Sequence, residues 1–387
     1  MRVLSVHNAY RLPGGEDLVV DGDAELLAEA GHVLERHHAR NQDGARAVRD
    51  LIQSPWNVAS ARAISVHVER FRPDVAHVHN TWFALSPSVL WALHRADVPT
   101  VMTLHNYRLA CLNAELRRGG GFCDDCVGRL PWPGVVHRCY RGSVAQSAIA
   151  AGANTVHRAL DTWQRCVRVF LAPSEFARAQ LVRAGLPADR VTVRPNPVPD
   201  PGPRPAPPSQ SQVVLFAGRL SSAKGADVLL EAWRRRAPRN LRLLFVGEGP
   251  LSQRIAECGL SGVEMRSWMP RGRLVEVMRG ARALVCPSVT PETFGLAAVE
   301  GLAAGLPVLV PEGGALVEAV GDAGPRPVPR AGGPWEWAAA LDQLDNDAQV
   351  DRWGQAARIR YLDRYSLGVG PLVTAYERAL DPDGIVR

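Results

Sequence analysis

One lysine stands among the 45 basic residues of this 387-residue chain. It is Lys224, five positions after Arg219 in the run Gly218-Arg219-Leu220-Ser221-Ser222-Ala223-Lys224-Gly225, between a strand-like and a helix-like segment. Loops in that position hold anions, and a compact ammonium is a point charge that an arginine fork does not reproduce. Taken alone, the lysine is as readily a survivor on a solvated surface, so its company must decide. Farther on, Thr290-Pro291-Glu292-Thr293-Phe294-Gly295-Leu296 opens an apolar helix running through Glu300 to about Ala304. The amides near Phe294, Gly295 and Leu296 present unpaired N–H groups and the positive end of the helix dipole. Two cations and a helix start make a pyrophosphate cradle. Glu292 and Glu300, with seven residues between them, offer carboxylates that accept paired hydrogen bonds from vicinal hydroxyls. Alone, Glu292 is a helix-start acid and Glu300 a solvated helix residue. Glu300, however, lies among Leu296, Ala297, Ala298, Val299, Leu302 and Ala303, where a carboxylate needs a partner.

A second group is metal-like. Four of the seven cysteines cluster as Cys111, Cys123, Cys126 and Cys139, a Cys-x-x-Cys flanked by intervals of eleven and twelve residues. Four thiolates so spaced suit tetrahedral zinc, and the glycines and prolines between them leave the segment without a core of its own, so a structural Zn²⁺ would supply stability. Two disulfides, or a redox pair at Cys123 and Cys126, are the other readings. His137 and Arg138 are candidate lining residues of an acceptor pocket that this insertion shapes, and equally ordinary loop residues. Cys166, Cys258 and Cys286 lie in or beside apolar segments and read as small core residues.

The elements that must hold these residues alternate. Strand-like runs are expected at Arg2 to His7, Val75 to His79, Thr100 to Leu104, Val167 to Ala172 and Val191 to Arg194, mostly followed by helix or turn signals. Pro195 to Gln212 contains eight prolines and can continue neither sheet nor helix. The pattern then restarts at Val213 to Ala217, Leu241 to Val246, Val263 to Arg266, Ala283 to Cys286 and Pro307 to Val310, and helices fill Pro334 to Leu380. Such alternation gives an α/β chain of two Rossmann-like doubly wound units with parallel sheets, the last helix packing back across the junction. Ligands of such sheets lie beyond the carboxyl ends of the strands, which makes the loops after the strands the place to look. The expected organisation is an amino-terminal unit over 1–196 with its Cys-rich insertion at 111–139, a linker at 197–212, a second unit over 213–365, and a terminal helix and tail over 366–387.

Composition is ordinary for a globular chain, 46% hydrophobic and 22% charged. No run has the length and flanks of a membrane span or a leader, which points to a cytoplasmic protein with at most peripheral contact at the inner membrane face. The net charge of +6 is scattered rather than gathered in a tail. A dinucleotide oxidoreductase is disfavoured, because no Gly-x-Gly-x-x-Gly follows a strand with an acid about 20 residues on.

Taken together, Phe216-Ala217-Gly218-Arg219-Leu220, Lys224-Gly225, Pro287-Ser288, Glu292, Phe294-Gly295, Glu300, Ala304-Gly305-Leu306-Pro307-Val308 and Gly313-Gly314 with Glu318 resemble the donor domain of glycosyltransferase family 4, retaining enzymes of GT-B fold. Pro13-Gly14-Gly15-Glu16, Pro73 to Asn80, Thr103-Leu104-His105-Asn106 and Ser174-Glu175-Phe176 extend the likeness to the amino-terminal half, so it covers nearly the whole chain. The resemblance implies two domains facing across a cleft. It places Arg219 and Lys224 on the diphosphate of a nucleotide sugar, UDP-linked by preference, and Glu300 on the ribose. Glu292 with the amides of Phe294, Gly295 and Leu296 would hold the transferred sugar, Gly14 and Gly15 would close over the phosphates, and Gly247, Trp268 and Met269 would border the base. His105 would touch the sugar near its reactive carbon, and Glu16, His79, Asn80, Asn106 and His137 are the acceptor-side candidates. Gly301 stands where the family more usually has alanine, and Asn196-Pro197 where it has Asn-Gly.

The implied chemistry is hexosyl or N-acetylhexosaminyl transfer with retention, by same-face displacement and without a catalytic divalent metal. The departing diphosphate takes the acceptor proton, and positioning and electrostatics do the rest. The acceptor is a small metabolite, an aminocyclitol for example, or a lipid-linked or cell-surface glycan; neither nucleic acid nor a particular oligomer is implied. A sugar-nucleotide epimerase would share the architecture, and a nonenzymatic zinc-dependent binding protein would explain the cysteines but not the second-unit constellation.

Overall fold

The short aliphatic runs become parallel strands, and the helices between them cover both faces. The computed structural model describes residues 1–10, 14–236 and 240–381. It divides into two units: Met1–Arg118 with Cys123–Pro197 and the described residues from Leu367 on, and Val198–Ser366 with Gly119–Phe122. Pro13 of the Pro13-Gly14-Gly15-Glu16 run and the last six residues of the tail lie outside the described residues.

In the first unit, β1 (Arg2–Ala9), β2 (Val33–Arg40), β3 (Val75–Asn80), β4 (Thr100–Thr103), β5 (Val169–Ala172) and β6 (Val191–Val193) form one parallel sheet in the order β2-β1-β3-β4-β5-β6. Every residue of β3, β4 and β5 is buried, as strands covered on both faces must be. Strand β2, Val-Leu-Glu-Arg-His-His-Ala-Arg, was not expected from the sequence. It is an edge strand with only β1 beside it, and exposed Arg36, His38 and Arg40 alternate with partly covered Glu35, His37 and Ala39, so no apolar run announces it.

In the second unit, β7 (Val213–Ala217), β8 (Arg242–Val246), β9 (Val263–Arg266), β10 (Ala283–Val285) and β11 (Val308–Leu309) form a parallel sheet in the order β9-β8-β7-β10-β11. Both sheets are doubly wound, and the two parallel-sheet α/β domains are those of a GT-B chain. Strand order reverses beside β1 and β3 in the first unit and beside β7 and β10 in the second. Those two points are where ligands of such sheets lie.

The final helix, Gly370–Leu380, belongs to the first unit. Leu372, Ala375, Tyr376 and Ala379, spaced as one helical stripe, bury against Val3, Val75, Val101, Val169 and Leu171. The proline-rich stretch lies along the second unit. Val198 enters its core and accepts the Tyr361 hydroxyl at 2.8 Å, and Arg204 donates to the carbonyls of Gly305 and Ala281 at 3.0 and 2.8 Å. Asp351 takes both the amide and the hydroxyl of Ser209.

Candidate functional site

At the switch point of the second unit, the loop after β7 makes a 3₁₀ turn over Ser222–Lys224 and then enters the helix Ala226–Arg235. The loop after β10 docks on it by backbone: the amides of Val289 and Thr290 both donate to the Ala223 carbonyl, at 3.1 and 3.2 Å. Gly225 sits at φ +74°, and a Cβ there would lie 1.9 Å from the Pro287 carbonyl oxygen. This seating brings together residues 68 apart. Lys224 Nζ donates to Glu292 Oε1 at 2.5 Å, and the Ser288 hydroxyl donates to the same oxygen at 2.6 Å. Burial raises the Glu292 carboxyl, but the charge of Lys224 and the hydrogen bonds from Lys224 and Ser288 outweigh it and hold the group below its ordinary range. Glu292 is therefore ionised and Lys224 is its counter-ion.

Arg219 is exposed on the same loop. Gly247, at the end of β8, is buried and donates its amide to the Arg266 carbonyl at 3.0 Å. Phe294 is buried against Tyr365, and Gly295 at φ +88° turns the chain into the helix Leu296–Ala303. Glu300 on that helix is buried and has the partner its surroundings require: Arg271 Nη2 lies 2.9 Å from its Oε1. Burial raises the Glu300 carboxyl, and Arg271 only partly offsets this. Gly301 is explained by packing, since a Cβ would approach Leu284 Cδ2 to 2.8 Å and Val308 Cγ2 to 3.1 Å where the helix meets β10 and β11. Trp268 is 67% exposed, whereas Met269 is partly buried against the core.

At the switch point of the first unit, Gly14 caps the helix Gly15–Glu29, its amide donating to Asp17 at 2.8 Å. Gly14 has extended backbone, φ −144°, and no described atom lies within 4 Å of where a Cβ would sit. Neither its conformation nor any described neighbour requires a glycine there. Glu16 follows, its side chain 9% exposed. Asn106 Nδ2 bridges Glu16 Oε2 at 3.5 Å and the Tyr10 hydroxyl at 3.1 Å. Glu16 Oε1 and His7 Nδ1, 3.9 Å apart, are buried with no hydrogen-bond partner among the described residues. Burial, then the charge of Asp17, pushes the Glu16 carboxyl to about 8 against the amides of Asn106 and Asn80. Burial likewise raises the Tyr10 hydroxyl to about 12.

His79 Nδ1 and His105 Nε2 lie 3.1 Å apart with their rings stacked. Burial, then the charges of His7 and Arg194, push His105 down to about 3, and burial pushes His77 and His79 well below the ordinary range. His105 is therefore a neutral hydrogen-bonding group and not a cation. Asn80 donates to the Asn8 carbonyl at 3.0 Å and accepts from the Trp82 amide at 3.0 Å, which shapes the loop after β3. His137, on the Cys-rich segment, is exposed.

Behind these residues, Arg194 grips both oxygens of Asp23 at 2.5 and 3.0 Å. The Tyr376 hydroxyl, kept protonated by burial, donates to His77 Nδ1 at 2.9 Å, which leaves His77 Nε2 to donate to Thr103 at 2.8 Å. Asp23, His77 and His79 have ligand atoms within 4.8 Å of one another, the spacing of a metal site. Their chemistry opposes one: both Asp23 oxygens serve a guanidinium, and both His77 nitrogens are bonded. The sequence reading missed His7, Tyr10, Asp17, Asp23 and Arg194, all polar residues within or beside ordinary strand and helix patterns. The place of Asp23 in the helical stripe of Val19, Val20, Ala24 and Leu27 was the one available signal.

The four clustered cysteines are free thiols that line one cavity of about 10 Å³ together with Arg117, Arg118, Asp125 and Gly134. Burial raises Cys126 to about 11, with a hydrogen bond from the Gly134 backbone opposing it and the neighbouring cysteines adding to it.

Residues 23–200 match the family described as Glycosyltransferase Family 4, and residues 203–360 match the one described as Glycosyl transferases group 1. Over these two spans the chain is similar to the family 4 and group 1 glycosyltransferases. A D-inositol 3-phosphate glycosyltransferase of Nocardia farcinica is 32% identical over 290 residues, which is 71% of this chain and 59% of the relative. The chain thus spans about three fifths of that relative's length. Among solved structures, sucrose-phosphate synthase from Thermosynechococcus elongatus superposes with a TM-score of 0.71 at 18% identity, over 98% of this chain and 100% of that one. Anabaena HepE in complex with UDP and glucose does so with a TM-score of 0.66 at 18% identity, over 99% of each chain. At such identities the likeness is one of fold.

Proposed function

We propose that the chain is a family 4 glycosyltransferase that moves a hexosyl or N-acetylhexosaminyl group from a UDP-sugar to an acceptor hydroxyl with retention of configuration. The observation that carries the reading is the Lys224–Glu292 pair at the switch point of the second unit, with Arg219 exposed beside it. A diphosphate competes with Glu292 for the ammonium. As Lys224 turns to the phosphates, Glu292 keeps the hydrogen bond from Ser288, and its oxygens become acceptors for the sugar hydroxyls. Glu300 takes the ribose hydroxyls, with Arg271 holding it in place, and the exposed Trp268 offers a face to the base. Gly14, whose glycine no described neighbour requires, gives backbone access to the phosphates.

In the transfer, the acceptor oxygen attacks the anomeric carbon from the face that the leaving group departs. The bond from that carbon to the β-phosphate oxygen breaks, and the acceptor proton passes to that oxygen. Lys224 and Arg219 stabilise the charge that accumulates on the diphosphate. In this reading Zn²⁺ has a structural place at the four cysteines, and no divalent cation takes part in the transfer. Neutral His105, held by His79, hydrogen-bonds a sugar hydroxyl.

Glu16, His7, Tyr10, Asn80 and Asn106 form a set of buried acceptors and neutral donors, which suits hydroxyl or amino groups better than phosphate. The relatives are named for a phosphorylated cyclitol; for this chain we favour an acceptor whose reacting end is an unphosphorylated polyol or amino-polyol.

The test is transfer from UDP-sugars by wild type, Lys224→Ala and Lys224→Arg, in buffer with and without a chelator. Wild type is expected to retain activity at short exposure to chelator, the alanine variant to lose most of it while folding normally, and the arginine variant to recover part. Full activity of Lys224→Ala, or strict dependence on added Mg²⁺ or Mn²⁺, would overturn the reading.

A further inference from the structure

The Cys-rich segment is not absorbed by sugar transfer. It runs from Cys111 to Cys139, and its ends are tied to working parts of the first unit. The Cys111 amide donates to the Tyr107 carbonyl at 2.8 Å, and the Tyr107 amide to the Ala114 carbonyl at 3.2 Å. Arg108 donates a guanidinium hydrogen to the Leu112 carbonyl. The loop that carries His105 and Asn106 after β4 is therefore continuous with the first turn of the cysteine segment. At the other side, Asp124 accepts from Arg183 at 2.8 Å on the helix Glu175–Arg183.

Within the segment, regular structure is scarce. Ala114, Leu116 and Arg138 all sit at positive φ, between 48° and 65°, a conformation that costs a non-glycine residue about 1–3 kcal/mol and persists only where surroundings impose it. The buried apolar anchors are few: Leu112, Leu116 and Val127. Yet residues 111, 123, 126 and 139 all reach one cavity, and its volume of about 10 Å³ is close to that of a single water-sized sphere. None of the four thiols is in a disulfide.

We propose that Cys111, Cys123, Cys126 and Cys139 bind one Zn²⁺ in that cavity as a closed four-thiolate structural site, and that this site holds the loop carrying His105 and Asn106. Tetrahedral zinc sets its sulfurs ~3.8 Å apart, given Zn–S bonds of about 2.3 Å. The four thiols are more widely set than that: among the described residues, no three of these sulfurs lie within 4.8 Å of one another. Neutral thiols have no attraction to close that gap; a divalent cation at the centre does, with release of their protons. Four thiolates around Zn²⁺ leave a net charge of −2, and the cavity wall, with Arg117 and Arg118 against Asp125, offsets about half of it. Asp125, also on the wall, is already paired with Arg118 at 2.7 Å. The proposal is independent of the identity of donor and acceptor.

The test begins with the full chain purified under reducing conditions without chelator. Elemental analysis is expected to give one zinc per chain, and Co²⁺ exchange to give the thiolate-to-metal charge-transfer absorption of a tetrahedral sulfur site. Native thiol titration should show these four cysteines protected until a strong chelator is added. Proteolysis between 111 and 139 should then accelerate, and hydrogen exchange should rise at residues 105–110. Arg118→Ala, which leaves every ligand in place, should weaken zinc retention by about 10-fold. Zinc-free protein with an unchanged thermal midpoint, or disulfide-linked peptides among the four cysteines, would overturn the proposal. Zinc present with no change in exchange at residues 105–110 on its removal would overturn the link to the loop.

Discussion

Glu16 is the residue whose environment departs furthest from its chemistry in water. Its carboxyl faces His7, Asp17, Tyr10, Asn106 and Arg108, and Arg108 is the one strong cation among them. A carboxyl held at about 8 when folded, against an ordinary 4.5, binds its proton more tightly in the folded chain. Its contribution to stability is complete below pH 4.5 and is lost as pH rises through 8. Glu16→Gln keeps the neutral shape and removes this dependence. The variant's thermal midpoint should exceed that of wild type at pH 8 and converge on it near pH 4.5, with about 2–4 kcal/mol between them at the upper end. A difference that stays constant across that window would mean that Glu16 titrates normally. The motif Gly14-Gly15-Glu16 was legible in the sequence, but the state of Glu16 was not. The carboxyl's burial depends on β1 and on the loops after β3 and β4, up to 90 residues away.

At the scale of elements, the second unit's half of the site is a pair of loops seated on each other by backbone. Gly225→Ala is the sharpest probe of that seating, because its Cβ would lie 1.9 Å from a carbonyl oxygen and φ +74° is costly for alanine. The conformation alone costs about 1–3 kcal/mol. Displacing the Pro287 loop should separate Lys224 from Glu292. The expected outcome is a lower thermal midpoint together with a raised KM for donor, although no ligand side chain has changed. A normal KM would show that the loops do not share the donor. The strands beneath these loops were readable from their aliphatic runs, because parallel strands covered on both faces cannot carry charge. Strand β2 was not readable, because an edge strand with charged side chains follows no such rule.

At the scale of the whole molecule, the two units have separate hydrophobic cores. A UDP-sugar bound to the second unit at 100 times its Kd adds about 2.7 kcal/mol. For a domain of this size that is a rise of roughly 5–10 °C in its transition. In a panel of nucleotide sugars, the one with the true base and sugar should protect most, and the protection should vanish in Lys224→Ala. Equal protection of that variant would remove the lysine from the donor site. No described helix is long and apolar enough to cross a membrane.

The sequence by itself determined the class of fold, ten of its eleven parallel strands and the grouping of the cysteines along the chain. Each of those rests on local pattern: aliphatic runs, helix starts, glycines and spacing. Only the tertiary structure decided that Lys224 is the counter-ion of Glu292, that Arg271 is the partner of Glu300, and that Gly301 is where a helix closes on its sheet. It alone made His105 a neutral ring among other histidines and, among the described residues, left one atom each of Glu16 and His7 without a hydrogen-bond partner. Charge states and partners follow from burial and from groups far apart in the chain, and pattern along the chain carries no record of either.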